Sequence, residues 1–258
     1  MSGAKRLSGK VAIITGGASG IGEETARLFA DHGARVVIAD IQDQLGQTVA
    51  ESIGLDRCSY THCDVTDEAQ VKSVVDRTVA THGLVDVVFC NAGVISPTDQ
   101  TVLDLDLAAM DRLFAVNVRG PAACVKHAGR AMADGAVRGS IICTASVAAS
   151  TGRGKRVDYT MSKHAVLGLV RSAAVQLGRF GIRVNSVSPS AVATPLLTVS
   201  LGMSEEEVEV AYADLAKLKG VSLKKKHVAE GALFLASDEA ALVTGHDLVV
   251  DGGFLCSH

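Results

Sequence analysis

Two side chains four residues apart suggest chemistry in this sequence: Tyr159 and Lys163, within the run Tyr-Thr-Met-Ser-Lys. On a helix that spacing sets a phenol and an ammonium on one face. A free phenol titrates near about 10 and is a poor base at neutral pH, but a fixed cation beside it stabilises phenolate and draws it toward the working range. Such a pair can move a proton. Of the three Tyr, Tyr60 has Asp64 and Tyr212 has Ala216 at the fourth position, so the pairing occurs once. Spacing alone also allows an ordinary amphipathic rim.

A second cluster is built for phosphate. Thr15-Gly-Gly-Ala-Ser-Gly-Ile-Gly22 follows an apolar run and opens a helical pattern. Glycines at Gly16, Gly20 and Gly22 allow a tight turn, close approach of backbone to a pyrophosphate, and close packing of helix on strand. Ser19 and Ile21 lie on the same turn, and the helix start offers free N–H groups and a positive dipole end. Asp40 ends the second apolar run, eighteen residues past Gly22. A carboxylate there accepts hydrogen bonds from ribose hydroxyls and repels a 2′-phosphate. The loop between Gly16 and Gly20 holds no cation, and Ile41 follows Asp40, so NAD is expected rather than NADP.

These groups need elements to hold them. Val11–Thr15, Val36–Asp40, Val87–Cys90, Ser140–Cys143 and Arg183–Val187 are short, β-branched runs that suit strands buried on both faces, and the pattern runs on to the closing Val249–Gly253. Helical periodicity runs through Ile21–His32, Glu68–His82, Leu105–Asp134 and Tyr159–Arg179. Strand alternating with helix predicts an α/β fold with a parallel sheet covered on both faces. The alternation has no Pro-rich or Ser-rich linker, so residues 1–258 are read as one domain. The excursion at 194–227, with Glu205–Glu207 and Lys224–Lys226, is a candidate substrate lid.

Composition narrows the partners. The 258 residues are 48% hydrophobic and carry a net charge of -3, enough apolar material for a large core and no basic excess for a phosphate backbone. With aromatics at 3% and no Trp, stacking platforms are scarce too, so no nucleic acid is expected. Met1–Lys10 is polar, and no run of about 18 apolar residues occurs, so neither a secretory leader nor a membrane span is expected. A soluble, cytoplasmic protein follows as the expectation. The six cysteines show no Cys-x-x-Cys pair and are read as reduced and buried, and the eight scattered His give no metal-ligand spacing.

The full set, Thr15-Gly-x-x-x-Gly-x-Gly22, Asp64-Val65, Asn91-Ala92-Gly93, Asn117, Ser146 and Tyr159-x-x-x-Lys163, resembles the short-chain dehydrogenase/reductase family from about Lys10 to Gly253. The resemblance implies a single Rossmann-type, doubly wound domain with a seven-stranded parallel sheet, nicotinamide-dependent hydride transfer, and a homotetramer. It makes Tyr159 the general acid/base and sets Ser146 on the substrate oxygen. Lys163 lowers the Tyr159 pKa and holds the nicotinamide ribose, and Asn117 anchors a proton-relaying water. It gives Asp64 and Val65 to the adenine, Asn91, Ala92 and Gly93 to the adenosine ribose side, and Val192 with Thr194 to the carboxamide. Cys90 and Ser190 stand where the family often has Asn and Gly.

The substrate pocket candidates are apolar: Val94, Ile95, Val147, Ala148, Leu196, Leu197 and Met203, beside Val192 and Ser146. A small hydrophobic alcohol or ketone is the expected ligand. Gly139–Ser146, Met161–Leu169 and Gly181–Pro189 are similar to plant members of the family that oxidise secondary alcohols, including terpenoid (borneol-, isopiperitenol- or nepetalactol-type), lignan (secoisolariciresinol-type) and steroid dehydrogenases. Two rivals remain: a decayed NAD-binding module, and a non-redox cyclase that keeps NAD as scaffold.

Overall fold

The computed structural model describes residues 5–257; the first four residues and His258, counted in the single-domain expectation, lie outside the described residues. Seven parallel strands form one sheet: β1 (Val11–Thr15), β2 (Arg35–Asp40), β3 (Cys58–His62), β4 (Val87–Cys90), β5 (Ser140–Thr144), β6 (Arg183–Pro189) and β7 (Asp247–Val250). Their spatial order is β3-β2-β1-β4-β5-β6-β7. The chain leaves β1 toward one edge and returns on its other side at β4, so a crevice opens between the carboxyl ends of these two strands.

Alternation along each strand builds two cores. Ile13, Val37, Val88 and Ile141 face α3 (Glu68–His82), α5 (Gly120–Asp134) and α6 (Val157–Leu177). Their neighbours Ile14, Ile38, Phe89 and Ile142 face α1 (Gly20–Asp31), α2 (Asp43–Ile53) and α9 (Lys225–Ala236). Nearly continuous apolar strands are what burial on both faces demands. β3 has no such signature: Cys-Ser-Tyr-Thr-His is an edge strand with only Cys58 buried, and no apolar run announces it.

The single helix expected over Leu105–Asp134 is interrupted. α4 (Leu107–Phe114) passes into a π-helical turn at Ala115–Arg119 before α5 starts, and Gly120 N donates to Ala115 O. Pro121 at the start of α5 has no N–H to continue an α-helical ladder, and the wider turn accommodates that break. The excursion at 194–227 folds as α7 (Pro195–Leu201) and α8 (Glu205–Ala213), the latter opened by a Ser204/Glu207 capping box. Five cysteines are buried as expected, but Cys256 is exposed on the C-terminal 3-10 turn, so the expectation of six buried thiols fails there.

Candidate active site

The crevice between β1 and β4 widens into a cavity of about 890 Å³. At one end lies the glycine-rich turn, and small residues are needed there for measurable reasons. A Cβ on Gly22 would stand 2.0 Å from Gly16 O, and one on Gly16 would stand 2.8 Å from Ala92 Cα. Gly16 and Gly20 have positive φ of 65° and 59°. Ser19 caps α1 without a side-chain hydrogen bond, so the helix start keeps its donors directed outward. Gly16, Ser19, Gly20 and Ile21 line the cavity; Gly22 sits beneath it, against the Gly16 carbonyl.

Asp40 is buried beside this turn. Its Oδ2 accepts from Ala18 N at 3.0 Å, and its Oδ1 accepts from Gln42 N and Gln42 Nε2 at 3.0 and 3.2 Å. Ile41, Asp64, Val65, Ala92 and Gly93 complete this end of the cavity. Free N–H groups, a turn closed to any Cβ and a carboxylate at the end of β2 fit a dinucleotide.

Asn91 is the brace between the two ends. Its Nδ2 donates to Gly16 O at 3.1 Å and to Thr15 O at 3.3 Å, while its Oδ1 accepts from the Thr144 hydroxyl at 3.1 Å. The Thr144 carbonyl in turn accepts from Lys163 Nζ at 2.8 Å. Thr144, which the sequence reading did not single out, therefore links the glycine turn to the chemical end. Its signal was weak, being one Thr at the end of an apolar strand.

At the chemical end, α6 carries Tyr159 and Lys163 into the cavity, and Ser146 reaches it from the end of β5. Asp158, fully buried, fixes the start of α6 by accepting from Tyr159 N at 2.7 Å and from the Ser96 hydroxyl. Burial pushes the Tyr159 phenol up, while the Ser146 hydroxyl and the charges of Arg153 and Arg156 pull it back. Lys163 Nζ sits 5.5 Å from the Tyr159 ring centroid, and burial lowers its own pKa to about 8. The cations that pull the phenol down are Arg153 and Arg156, while Lys163 Nζ is directed to the Thr144 carbonyl.

Asn117 lies in the π-helical turn and does not line the cavity. Its Oδ1 accepts from Val94 N at 2.8 Å, and its Nδ2 donates to Val94 O at 2.9 Å and to Ser162 Oγ at 3.3 Å. Through these bonds the side chain clips the Val94 loop to α6.

Val94, Ile95, Val147, Ala148, Leu196 and Leu197 line the substrate side, and Val192 and Thr194 stand where it meets the glycine turn. Thr194 lies near Gly20, whose Cβ would come within 3.4 Å of it. Met203 does not line the cavity: it follows Gly202, where α7 ends, and its N–H turns back to Thr198 O at 3.1 Å. The sequence reading missed Tyr212, Leu215 and Ala216 from α8 and its sequel, Phe254 from the C-terminus, and Arg153 from the loop before α6. Among the described residues no group of His, Cys, Asp and Glu is arranged to hold a metal ion.

Fold and site together define a nicotinamide-type oxidoreductase architecture, and comparison with known proteins agrees. The family described as Enoyl-(Acyl carrier protein) reductase matches residues 16–255. This chain belongs to the short-chain dehydrogenase/reductase family, oxidoreductases that act on CH–OH groups. It is 63% identical, over 99% of its length and 97% of the relative, to the (-)-isopiperitenol/(-)-carveol dehydrogenase, mitochondrial, of Mentha piperita. It is 59% identical, over 99% of its length and 97% of the relative, to the (+)-cis,trans-nepetalactol synthase of Nepeta racemosa. A crystal structure of a short-chain type dehydrogenase/reductase from Mycobacterium marinum superposes with TM-score 0.89 at 34% identity, covering 98% of both chains.

One expectation falls on these findings. The cytoplasmic assignment is overturned by the relative named mitochondrial. A search for apolar leader segments does not detect organellar address sequences, which are amphipathic rather than apolar. No helix among the described residues is long and apolar enough to cross a membrane.

Proposed function

We propose that this protein oxidises a hydrophobic secondary alcohol, a monoterpenoid such as a borneol-type alcohol, to its ketone with NAD. The observation that carries the reading is convergence: the Ser146 and Tyr159 side chains and the Lys163 ammonium meet at one end of a cavity whose other end is the glycine turn with Asp40. Gly16, Ser19, Gly20, Ile21, Asp40, Ile41, Asp64, Val65, Asn91, Ala92, Gly93, Val192 and Thr194 would hold the dinucleotide, with Gly22 shaping the turn. When bound, NAD supplies the acceptor for the hydride that leaves the carbinol carbon.

Ser146 donates to the substrate oxygen and orients it. Tyr159, as phenolate, takes the hydroxyl proton as the C–H bond breaks. Lys163 contributes its charge and holds the ribose next to the reacting carbon. Asn117 fixes the Val94 wall against which the substrate rests. The segment at 194–227, with α7 and α8, closes the apolar side as a lid within a single domain, and the enzyme works as a homotetramer. The exposed apolar residues Leu107 on α4 and Met161 and Val175 on α6 support association of copies.

The test follows absorbance of NADH while the purified protein meets NAD, or separately NADP, with monoterpenol, lignan and steroid secondary alcohols. NADH growth with one class, lost in Tyr159→Phe and weak with NADP, is the expected outcome. Turnover that leaves NAD unreduced refutes it. The second reading, a cyclase that keeps NAD as scaffold, draws support from the relative named a nepetalactol synthase, and it predicts that unreduced outcome.

A further inference from the structure

The loop between β5 and α6 places three cations on the substrate side of the cavity: Arg153, Lys155 and Arg156. Two of them have partners within the protein. Lys155 Nζ pairs with Asp99 at 2.5 Å, and Arg156 Nη1 donates to Ser96 O at 2.9 Å. Arg153 forms no ion pair among the described residues; its guanidinium lies 5.3 Å from the centroid of the Phe254 ring. An aromatic ring offers no hydrogen-bond acceptor in its plane, so this contact leaves the guanidinium N–H donors available.

The flanking residues Gly152 and Gly154 have nothing within 4 Å of where a Cβ would stand. At the cavity wall the Arg153 guanidinium meets the Phe254 ring. Its charge is felt at the reacting end, where it helps pull the Tyr159 phenol down. The surrounding wall, including Ile95, Val147, Leu197 and Leu215, is hydrocarbon. A ligand of pure hydrocarbon laid over that guanidinium would strip its water and return no hydrogen bond.

We propose that Arg153 is a specificity-determining residue that donates to a second oxygen of the substrate, a carbonyl or ether acceptor remote from the reacting carbinol. Within the monoterpenoid class proposed above, the substrate then carries a second oxygen besides the reacting hydroxyl. This deepens the alcohol-oxidation reading above and rests on it.

The test uses two probes of one shape, 4-hydroxycyclohexanone and 4-methylidenecyclohexanol, which differ in carrying a distal C=O or C=CH2. Selectivity is the ratio of their kcat/KM values with NAD and, independently, of their calorimetric affinities for the protein with NADH. The ratio cancels any loss common to both probes. Wild type should favour the oxygenated probe about tenfold or more. Arg153→Met should bring the ratio to about one, and Arg153→Lys, which keeps the charge without the fork, should retain part of it. A wild-type ratio near one, or a ratio unchanged in Arg153→Met, overturns the proposal. Absence of NADH with both probes counts against alcohol oxidation itself, while the affinity ratio still decides the role of Arg153.

Discussion

Replacing Asp40 with Asn changes one charge at the dinucleotide end of the cavity and almost nothing in shape. The carboxylate is 6% exposed and already accepts three hydrogen bonds, from Ala18 N, Gln42 N and Gln42 Nε2. A carboxylate has room for about four, so one site remains for a ribose hydroxyl. A 2′-phosphate would instead face the negative charge. Two unit charges about 5 Å apart at an effective dielectric of about 20 repel by about 3 kcal/mol, which exceeds a hundredfold in affinity. An amide removes that repulsion and keeps an acceptor for Ala18 N, turns its NH2 toward the Gln42 donors that Asp40 Oδ1 now satisfies, and makes a charge-assisted bond to the ribose a neutral one. Asp40→Asn should therefore raise the NADP to NAD ratio of kcat/KM roughly a hundredfold, with NAD itself falling about tenfold. The assay is steady-state oxidation of one alcohol with each cofactor, alongside fluorescence titration with NADH and NADPH. A ratio that moves less than about threefold, or a wild type that already prefers NADP, would refute the electrostatic argument.

Three further outcomes follow from the same geometry. Lys163 is buried with its pKa lowered to about 8, so its charge costs stability. Lys163→Met should lose activity by about a hundredfold or more while its melting temperature holds or rises. Because the folded pKa lies below the unfolded one, that thermal gain should be full below pH about 8 and vanish by about 10.5; a melting temperature that falls at pH 7 contradicts this. Gly22→Ala places a methyl 2.0 Å from Gly16 O, and it should lower stability by about 1–3 kcal/mol and abolish cofactor binding, measured by denaturant melts and NADH fluorescence. Burial raises the Tyr159 phenol, so alcohol oxidation should climb with alkaline pH while ketone reduction, which needs the protonated phenol, declines over the same range. A flat oxidation profile would remove Tyr159 from the proton step.

Much of the architecture could be read from the residues because burial on both faces leaves unbroken apolar runs, as in Val11–Thr15 and Val36–Asp40. β3 and α2 escaped that reading since an edge strand and the helix beside it need only one apolar face. The glycine turn and the Tyr159/Lys163 pair were legible from local order and spacing. Asn117 was visible as a position but not as a clip on Val94, because its partners are set by a π-helical turn that Pro121 forces. Arg153 and Phe254 lie 101 positions apart in the chain, and no local pattern joins them. Met203 was placed by its apolar side chain alone, and the end of α7 at Gly202 carries it off the cavity.

The distribution of the thiols has a practical consequence. Cys58 and Cys63 are held near about 12 by burial, and Cys90, Cys124 and Cys143 are shut inside the fold. A maleimide added to the native protein should mark Cys256 alone, two residues beyond the ring on which Arg153 rests. The chain thus supplies its own attachment point for a dye at the rim of the cavity, and opening or closing around a ligand becomes visible in light without altering a single residue.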